Sequence, residues 1–210
     1  MDVGDEMSDV LERARARKQV AEAILSDLDI LEKWKRFGRP VIVGAVAFDL
    51  VVEPDVDLEI YCPRLKIEHG FEVLAECALN PRVTKARFSN ELAGRDKALY
   101  WQLWYRADDG ADWKIDMWSA PEDYDLARGE DLVEAMRTAL TPESRRVILE
   151  LKERRLRDTG IKCSSVHLYR AVLEEDVRSM DELCAWLKTQ ETDALTQWKP
   201  RRRGREAGVE

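Results

Sequence analysis

The chain has 210 residues, of which 45% are hydrophobic and 36% charged, and its formal net charge is −8 at pH 7. This length suits one sizeable domain, or a core with a helical appendage, in an ordinary globular protein. No apolar run reaches the roughly 18 residues of a membrane helix, and the N-terminus lacks the apolar segment of a secretory signal, so we expect a cytoplasmic protein. The acidic charge argues against general nucleic-acid binding.

The cysteines and histidines are too sparse for a zinc site. The four cysteines are far apart, no CxxC pair is present, and the chain holds only two histidines, whereas structural zinc needs a dense cluster of such ligands. We predict four buried or partly buried thiols at Cys62, Cys77, Cys163 and Cys184.

Residues 1–36 are predicted to form an N-terminal helix, because apolar residues recur there at spacings of three and four from Val20 to Leu31. Gly38 and Pro40 break that pattern. Val41-Ile42-Val43 follows as a short buried strand that ends at Gly44.

Residues 37–120 are predicted to form a core containing most of the strands. Val56–Cys62 alternates charged and apolar residues, which is typical of a strand with one wet and one dry face. Further predicted elements are a helix over Leu65–Leu79 and strands over Arg82–Phe88, Leu99–Ala107 and Asp112–Trp118. A turn at Asp108-Asp109-Gly110 joins the last two strands as an antiparallel hairpin.

Residues 121–190 are predicted to be helical. Thr141-Pro142 is a helix start, with a capping residue followed by proline, and Ser179 begins a capping-box pattern. Residues 191–210 are predicted to be a disordered basic tail, for which binding to a polyanion is the alternative interpretation.

Three carboxylates on predicted strands are the candidate functional residues. Asp57 and Glu59 are two apart and so point to one side of a strand, and Asp116 lies on another largely apolar strand. Such half-buried acids repel one another unless a cation neutralises them. Hard oxygen ligands without histidine or cysteine favour Mg²⁺ or Mn²⁺.

The order of these pieces resembles the polymerase-β-like nucleotidyltransferase superfamily. The matching pieces are Val43-Gly44-Ala45, Val56-Asp57-Leu58-Glu59-Ile60 and Ile115-Asp116-Met117, within about 40–119. The resemblance implies an α+β fold: a nucleotidyltransferase-like mixed β-sheet flanked by helices, with a C-terminal helical region. It also implies that Asp57, Glu59 and Asp116 hold the metal and are catalytic.

The resemblance also suggests which residues contact the nucleotide. Gly44 and Ala45 occupy the place where the family usually has Gly-Ser, and alanine cannot donate the hydrogen bond of that serine to a triphosphate. Lys114 shares the strand face of Asp116 and is a candidate phosphate ligand, with a structural salt bridge as the alternative. Trp118 shares that face too and is a candidate to stack on a base.

The implied reaction is metal-dependent transfer of a nucleoside monophosphate from a nucleoside triphosphate, such as ATP, to an acceptor hydroxyl. A small-molecule acceptor is preferred over protein or RNA because the chain is acidic overall, although the basic tail is a possible contact for nucleic acid. The alternative is a non-catalytic protein that keeps this fold as a nucleotide sensor or as an antitoxin-like partner protein. Ala45 favours that alternative, whereas the three acids favour the enzyme.

Overall fold

A computed structural model describes residues 9–158, 161, 163–190 and 197–201, and the contacts divide the chain into two units, Met1–Glu130 and Asp131–Glu210. The predicted basic tail lies outside the described residues except for 197–201. Among the described residues, no helix combines the length and apolar character needed to cross a membrane.

The first unit is built on one five-stranded mixed sheet. Its order is β1-β2-β5-β4-β3, in which β2 and β5 run parallel and all other neighbours run antiparallel. The strands are β1 (Arg39–Val43), β2 (Asp55–Cys62), β3 (Val83–Asn90), β4 (Leu99–Arg106) and β5 (Asp112–Pro121). The predicted hairpin is confirmed as the β4–β5 pair, and the predicted α+β class is confirmed with it.

Four helices accompany this sheet: α1 (Val10–Asp27), α2 (Ile30–Lys35), α3 (Gly44–Phe48) and α4 (Ile67–Ala78). The structure has two helices, α1 and α2, where the periodicity predicts one. The break falls at Asp29, whose backbone is left-handed at φ 48°. This turn allows Trp34 to reach the core, where its indole nitrogen lies 3.2 Å from the Met117 sulfur.

The two faces of the sheet differ because successive strand residues point to opposite sides. Val56, Leu58 and Ile60 of β2 are fully buried and join a core cluster that includes residues of α1, α2 and α4. The residues between them are acidic and only partly buried. We call the face that carries Asp55, Asp57 and Glu59 the site face.

The second unit is helical, as the sequence predicts. Helix α5 (Gly129–Ala139) begins in the first unit, and α6 (Pro142–Arg157), α7 (Ser165–Glu174) and α8 (Met180–Leu187) follow. Thr141 and Ser179 both form capping boxes, which confirms the two predicted helix starts. All four cysteines are free and buried or partly buried, as expected.

Candidate metal and nucleotide site

The strand register brings acids from different parts of the chain together on the site face. Asp57 of β2 lies directly beside Asp116 of β5, and Asp55 lies beside Lys114. Oxygens of Asp55, Asp57 and Asp116 all lie within 4.8 Å of one another. We call these three residues the acidic cluster. The structure therefore brings the predicted Asp57 and Asp116 together and adds Asp55, which is not among the predicted site residues.

The surroundings of Asp55 disfavour its ionised form. Burial and the nearby Asp116 charge raise the pKa of Asp55 from 3.8 to about 6, although Lys114 opposes this. One carboxylate oxygen of Asp55 is buried and has no hydrogen-bond partner among the described residues. The nearest recorded cation is the Lys114 ammonium, 3.6 Å from that oxygen. Its charge is therefore only partly compensated by the protein.

Asp116 is held from two sides. The Lys114 ammonium donates to one of its oxygens at 2.6 Å, and the Gln102 amide donates to the other at 2.9 Å. Burial, a hydrogen bond to Asp116 and the Asp116 charge all raise the pKa of Tyr100 well above its usual value. Burial alone would lower the pKa of Lys114, but the hydrogen bond to Asp116 and the charges of the acidic cluster outweigh it and raise that pKa.

Gly44 follows β1 and touches the cluster directly. Its φ is +63°, a left-handed conformation that L side chains rarely adopt, and a β-carbon there would lie 2.1 Å from an Asp57 carboxylate oxygen. Glycine is thus required both by the backbone and by the close approach of Asp57. Ala45, the next residue, packs against the hydrophobic core.

Glu59 lies on the same strand face but is not part of the acidic cluster. Its carboxylate accepts hydrogen bonds from the backbone N–H of Gly129 at 2.7 Å and of Glu130 at 3.2 Å, and from the Tyr61 hydroxyl at 2.5 Å. The positive end of helix α5 thus holds this acid at the helix start. The structure thus groups Asp57 and Asp116 with Asp55 and leaves Glu59 outside the acidic cluster, so the metal role of Glu59 stays a prediction.

The other predicted nucleotide contacts lie near the cluster. Lys114 ion-pairs with Asp116 and Asp55, which matches the salt-bridge interpretation without removing the ammonium from the site face. Trp118 stacks on Tyr100, with ring centroids 4.2 Å apart and planes inclined by 19°. Both rings are partly exposed beside the acids.

The cluster fits a divalent cation. Its donors are carboxylate oxygens, which suit hard ions such as Mg²⁺ or Mn²⁺, and Asp55 has a buried oxygen that receives no hydrogen bond from the described residues. Asp55, Asp57 and Asp116 are the residues that would hold the ion. One signal in the sequence pointed to Asp55: it has the same strand parity as Asp57 and lies two residues before it. Gln102 gave no comparable signal.

No protein-family model and no curated protein match the chain. Solved structures do match, and all of those described below are nucleotidyltransferases. A cytoplasmic RNA terminal U-transferase is 16% identical, with a TM-score of 0.52, over 74% of this chain and 45% of that one. Cid1 in complex with its short product ApU is 15% identical, with a TM-score of 0.55, over 75% of this chain and 48% of that one.

Cid1 poly(U) polymerase with MgGTP bound is 16% identical, with a TM-score of 0.55, over 75% of this chain and 50% of that one. The chain thus spans about half the length of these structures. At this identity the likeness establishes the fold alone, and that fold is the nucleotidyltransferase-like α+β arrangement that the sequence predicts.

Proposed function

We propose that the protein is a metal-dependent nucleotidyltransferase, which moves a nucleoside monophosphate from a nucleoside triphosphate to an acceptor hydroxyl. The observation that carries the proposal is the convergence of Asp55, Asp57 and Asp116 on the site face of this fold, with a buried Asp55 oxygen that has no hydrogen-bond partner in the part of the chain that the structure describes. Three acids held close together repel one another and lower the stability of the fold. Such unfavourable clusters are typical of functional sites, and a bound cation would relieve the repulsion.

In the reaction, the acceptor oxygen bonds to the α-phosphorus while the bond from that phosphorus to the bridging oxygen of the β-phosphate breaks. Pyrophosphate leaves and the hydroxyl proton is released. Asp55, Asp57 and Asp116 would hold Mg²⁺ or Mn²⁺, which when bound neutralises phosphate charge and acts as a Lewis acid. Asp116, oriented by Gln102 and Lys114, is the candidate base for the hydroxyl proton.

The remaining residues of the site position the nucleotide. Lys114 supplies a positive charge at the cluster, and the Tyr100–Trp118 stack offers an aromatic surface for the base. Gly44 and Ala45 lie at the start of α3, where backbone N–H groups can contact phosphate in place of the missing serine hydroxyl. Electrostatic stabilisation and positioning would thus supply most of the rate.

The residues around the acidic cluster are compatible with more than one class of acceptor. The solved structures described above act on RNA by name, and they give no support to the sequence-based preference for a small-molecule acceptor. The cytoplasmic location remains a prediction from the sequence.

The first test is thermal unfolding with each of the four nucleoside triphosphates and Mg²⁺ or Mn²⁺. We expect a rise in Tm with at least one triphosphate, and loss of that rise in Asp57→Asn. Asp109→Asn, in the exposed β4–β5 turn, makes the same chemical change away from the site and should behave as wild type. Absence of any rise would refute the proposal.

The second test follows label from an α-phosphate-labelled triphosphate into RNA, protein and small-molecule fractions of a cell extract. Transfer by wild type but not by Asp57→Asn supports the enzyme. A Tm rise without transfer would instead support the non-catalytic nucleotide-binding alternative, for which Ala45 is the motivating residue.

A further inference from the structure

The site face does not end at the acidic cluster but continues across β4 to the edge strand β3. The register places Arg87 of β3 beside Gln102, which itself lies beside Asp116. One row therefore runs from the cluster to the edge of the sheet. A parallel row joins Lys114 to Trp104 and then to Lys85.

Lys85 and Arg87 are exposed cations on strand β3. Neither side chain makes a hydrogen bond or an ion pair with another residue in the part of the chain that the structure describes, and the Lys85 ammonium lies 4.2 Å from the centroid of the Trp104 ring. Two other cations near these strands differ, since Arg106 pairs with Asp112 and Arg82 with Asp108. In an acidic protein, two unneutralised cations on one strand face are available for an anion.

Gln102 lies between these cations and the catalytic acids. Its side chain is 6% exposed, and its amide nitrogen donates to Asp116. Its carbonyl oxygen is buried and accepts no hydrogen bond from any described residue. A buried acceptor without a donor costs stability, so it indicates a place for a hydroxyl or amino group of a ligand.

Aromatic rings lie on both sides of the row formed by Asp116, Gln102 and Arg87. Trp104 lies between Lys114 and Lys85, and the Tyr100–Trp118 stack lies on the other side of the Asp116–Gln102 row. Alternation of cations with partly exposed rings is the pattern that binds single-stranded nucleic acid, because the cations contact phosphates and the rings stack on bases.

We propose that this surface of β3 and β4, formed by Lys85, Arg87, Gln102 and Trp104, binds the end of a single-stranded nucleic-acid acceptor. The inference rests on the proposed function and deepens it by naming the acceptor class. Two strand spacings of about 4.8 Å put Arg87 about 10 Å from Asp116, which suits a phosphate that follows the terminal hydroxyl rather than the hydroxyl itself. A small neutral acceptor would leave both cations unused.

The test measures binding of a 5′-fluorescein single-stranded RNA decamer of mixed sequence by anisotropy, from 50 to 300 mM salt, with the full chain. We expect salt-dependent binding to wild type, and a Kd about three- to tenfold higher for Lys85→Gln and for Arg87→Gln at 100 mM salt. The slope of log K against log salt should fall by about 0.7 for each variant, since each loses one phosphate contact. Arg15→Gln, an exposed residue of α1 on the opposite face of the sheet, makes the same charge change and should bind as wild type.

The outcome separates this inference from the proposed function. If the triphosphate raises Tm but the decamer does not bind, or binds equally well to wild type, Lys85→Gln and Arg87→Gln, the surface is not the acceptor site and the inference fails alone. Transfer of label into small molecules but not into RNA would overturn it too. If no triphosphate raises Tm, the proposed function itself fails.

Discussion

Asp55 and Glu59 stand four residues apart on the same face of strand β2, yet their surroundings differ completely. Glu59 receives three hydrogen bonds, from Tyr61 and from the first turn of α5. Asp55 lies against two further acids, and one of its oxygens is buried without a hydrogen bond from the described residues. The described residues thus supply hydrogen bonds to both oxygens of Glu59 but leave one oxygen of Asp55 without any.

This difference separates a structural acid from a functional one. A carboxylate such as Glu59, which lies outside the acidic cluster and accepts hydrogen bonds from a helix N-terminus, gains less from a cation and stabilises the fold by itself. A carboxylate that is crowded by like charges gains most from a divalent ion. The contrast predicts that substitutions in the acidic cluster change the reaction, whereas substitution of Glu59 changes stability.

The largest effect is expected for Asp116→Asn. The amide cannot accept the hydroxyl proton and removes one charge from the metal ligands, so transfer should fall by about 10³-fold in a label-transfer assay. Glu59→Gln is the comparison and should retain most of the wild-type rate. Equal losses in both variants would show that Glu59 belongs to the reacting site after all.

The next largest effect is expected for Gly44→Ala. The new β-carbon meets the Asp57 carboxylate at 2.1 Å and strains a backbone at φ +63°, so Asp57 must move. We expect a loss of about 2 kcal/mol in the free energy of unfolding and about 10²-fold in transfer rate, measured by urea unfolding and label transfer.

Gly110→Ala is the matched control for that change. Gly110 also has a positive φ, of +82°, but among the described residues, its chain neighbours aside, no atom lies within 4 Å of its added β-carbon. It should lose about 1 kcal/mol of stability from backbone strain and keep the wild-type rate. A similar loss of rate in both glycine variants would mean that strain, and not displacement of Asp57, causes the effect.

The sequence could predict the sheet and two of the three clustered acids. The hairpin turn at Gly110, the strand alternation around Asp57 and the apolar setting of Asp116 are local signals, and the structure has each of them. Neighbouring residues in the sequence do not indicate whether Asp55 or Glu59 joins Asp57 and Asp116 in the acidic cluster. All three β2 acids have the same parity, and the choice is made by Gly129, which lies 70 residues beyond Glu59 and brings the helix start to it.

A smaller effect is expected for Glu59→Gln on stability. The amide lacks the charge that interacts with the N-terminus of α5, and only one of its two terminal atoms can accept a hydrogen bond. The free energy of unfolding should fall by about 1–2 kcal/mol in urea, while the rise in Tm with metal and triphosphate persists. Loss of that rise would return Glu59 to the metal site.

The last expected effect is a gain in stability, in Asp55→Asn without metal. Because the folded-state pKa of Asp55, about 6, lies above its ordinary value of 3.8, ionised Asp55 destabilises the fold, and this penalty grows from about pH 4 to pH 6 and is complete above that range. The full shift corresponds to about 3 kcal/mol, but the side chain is 34% exposed, so solvent screening reduces the expectation to about 1–2 kcal/mol.

In EDTA, Asp55→Asn should therefore unfold at higher urea than wild type at pH 8 and at the same urea near pH 4. With Mg²⁺ and triphosphate the order should reverse, because only wild type gains from the ion. A variant no more stable than wild type at pH 8 would show that Lys114 already neutralises Asp55, and that Asp55 and Glu59 are both compensated by the protein.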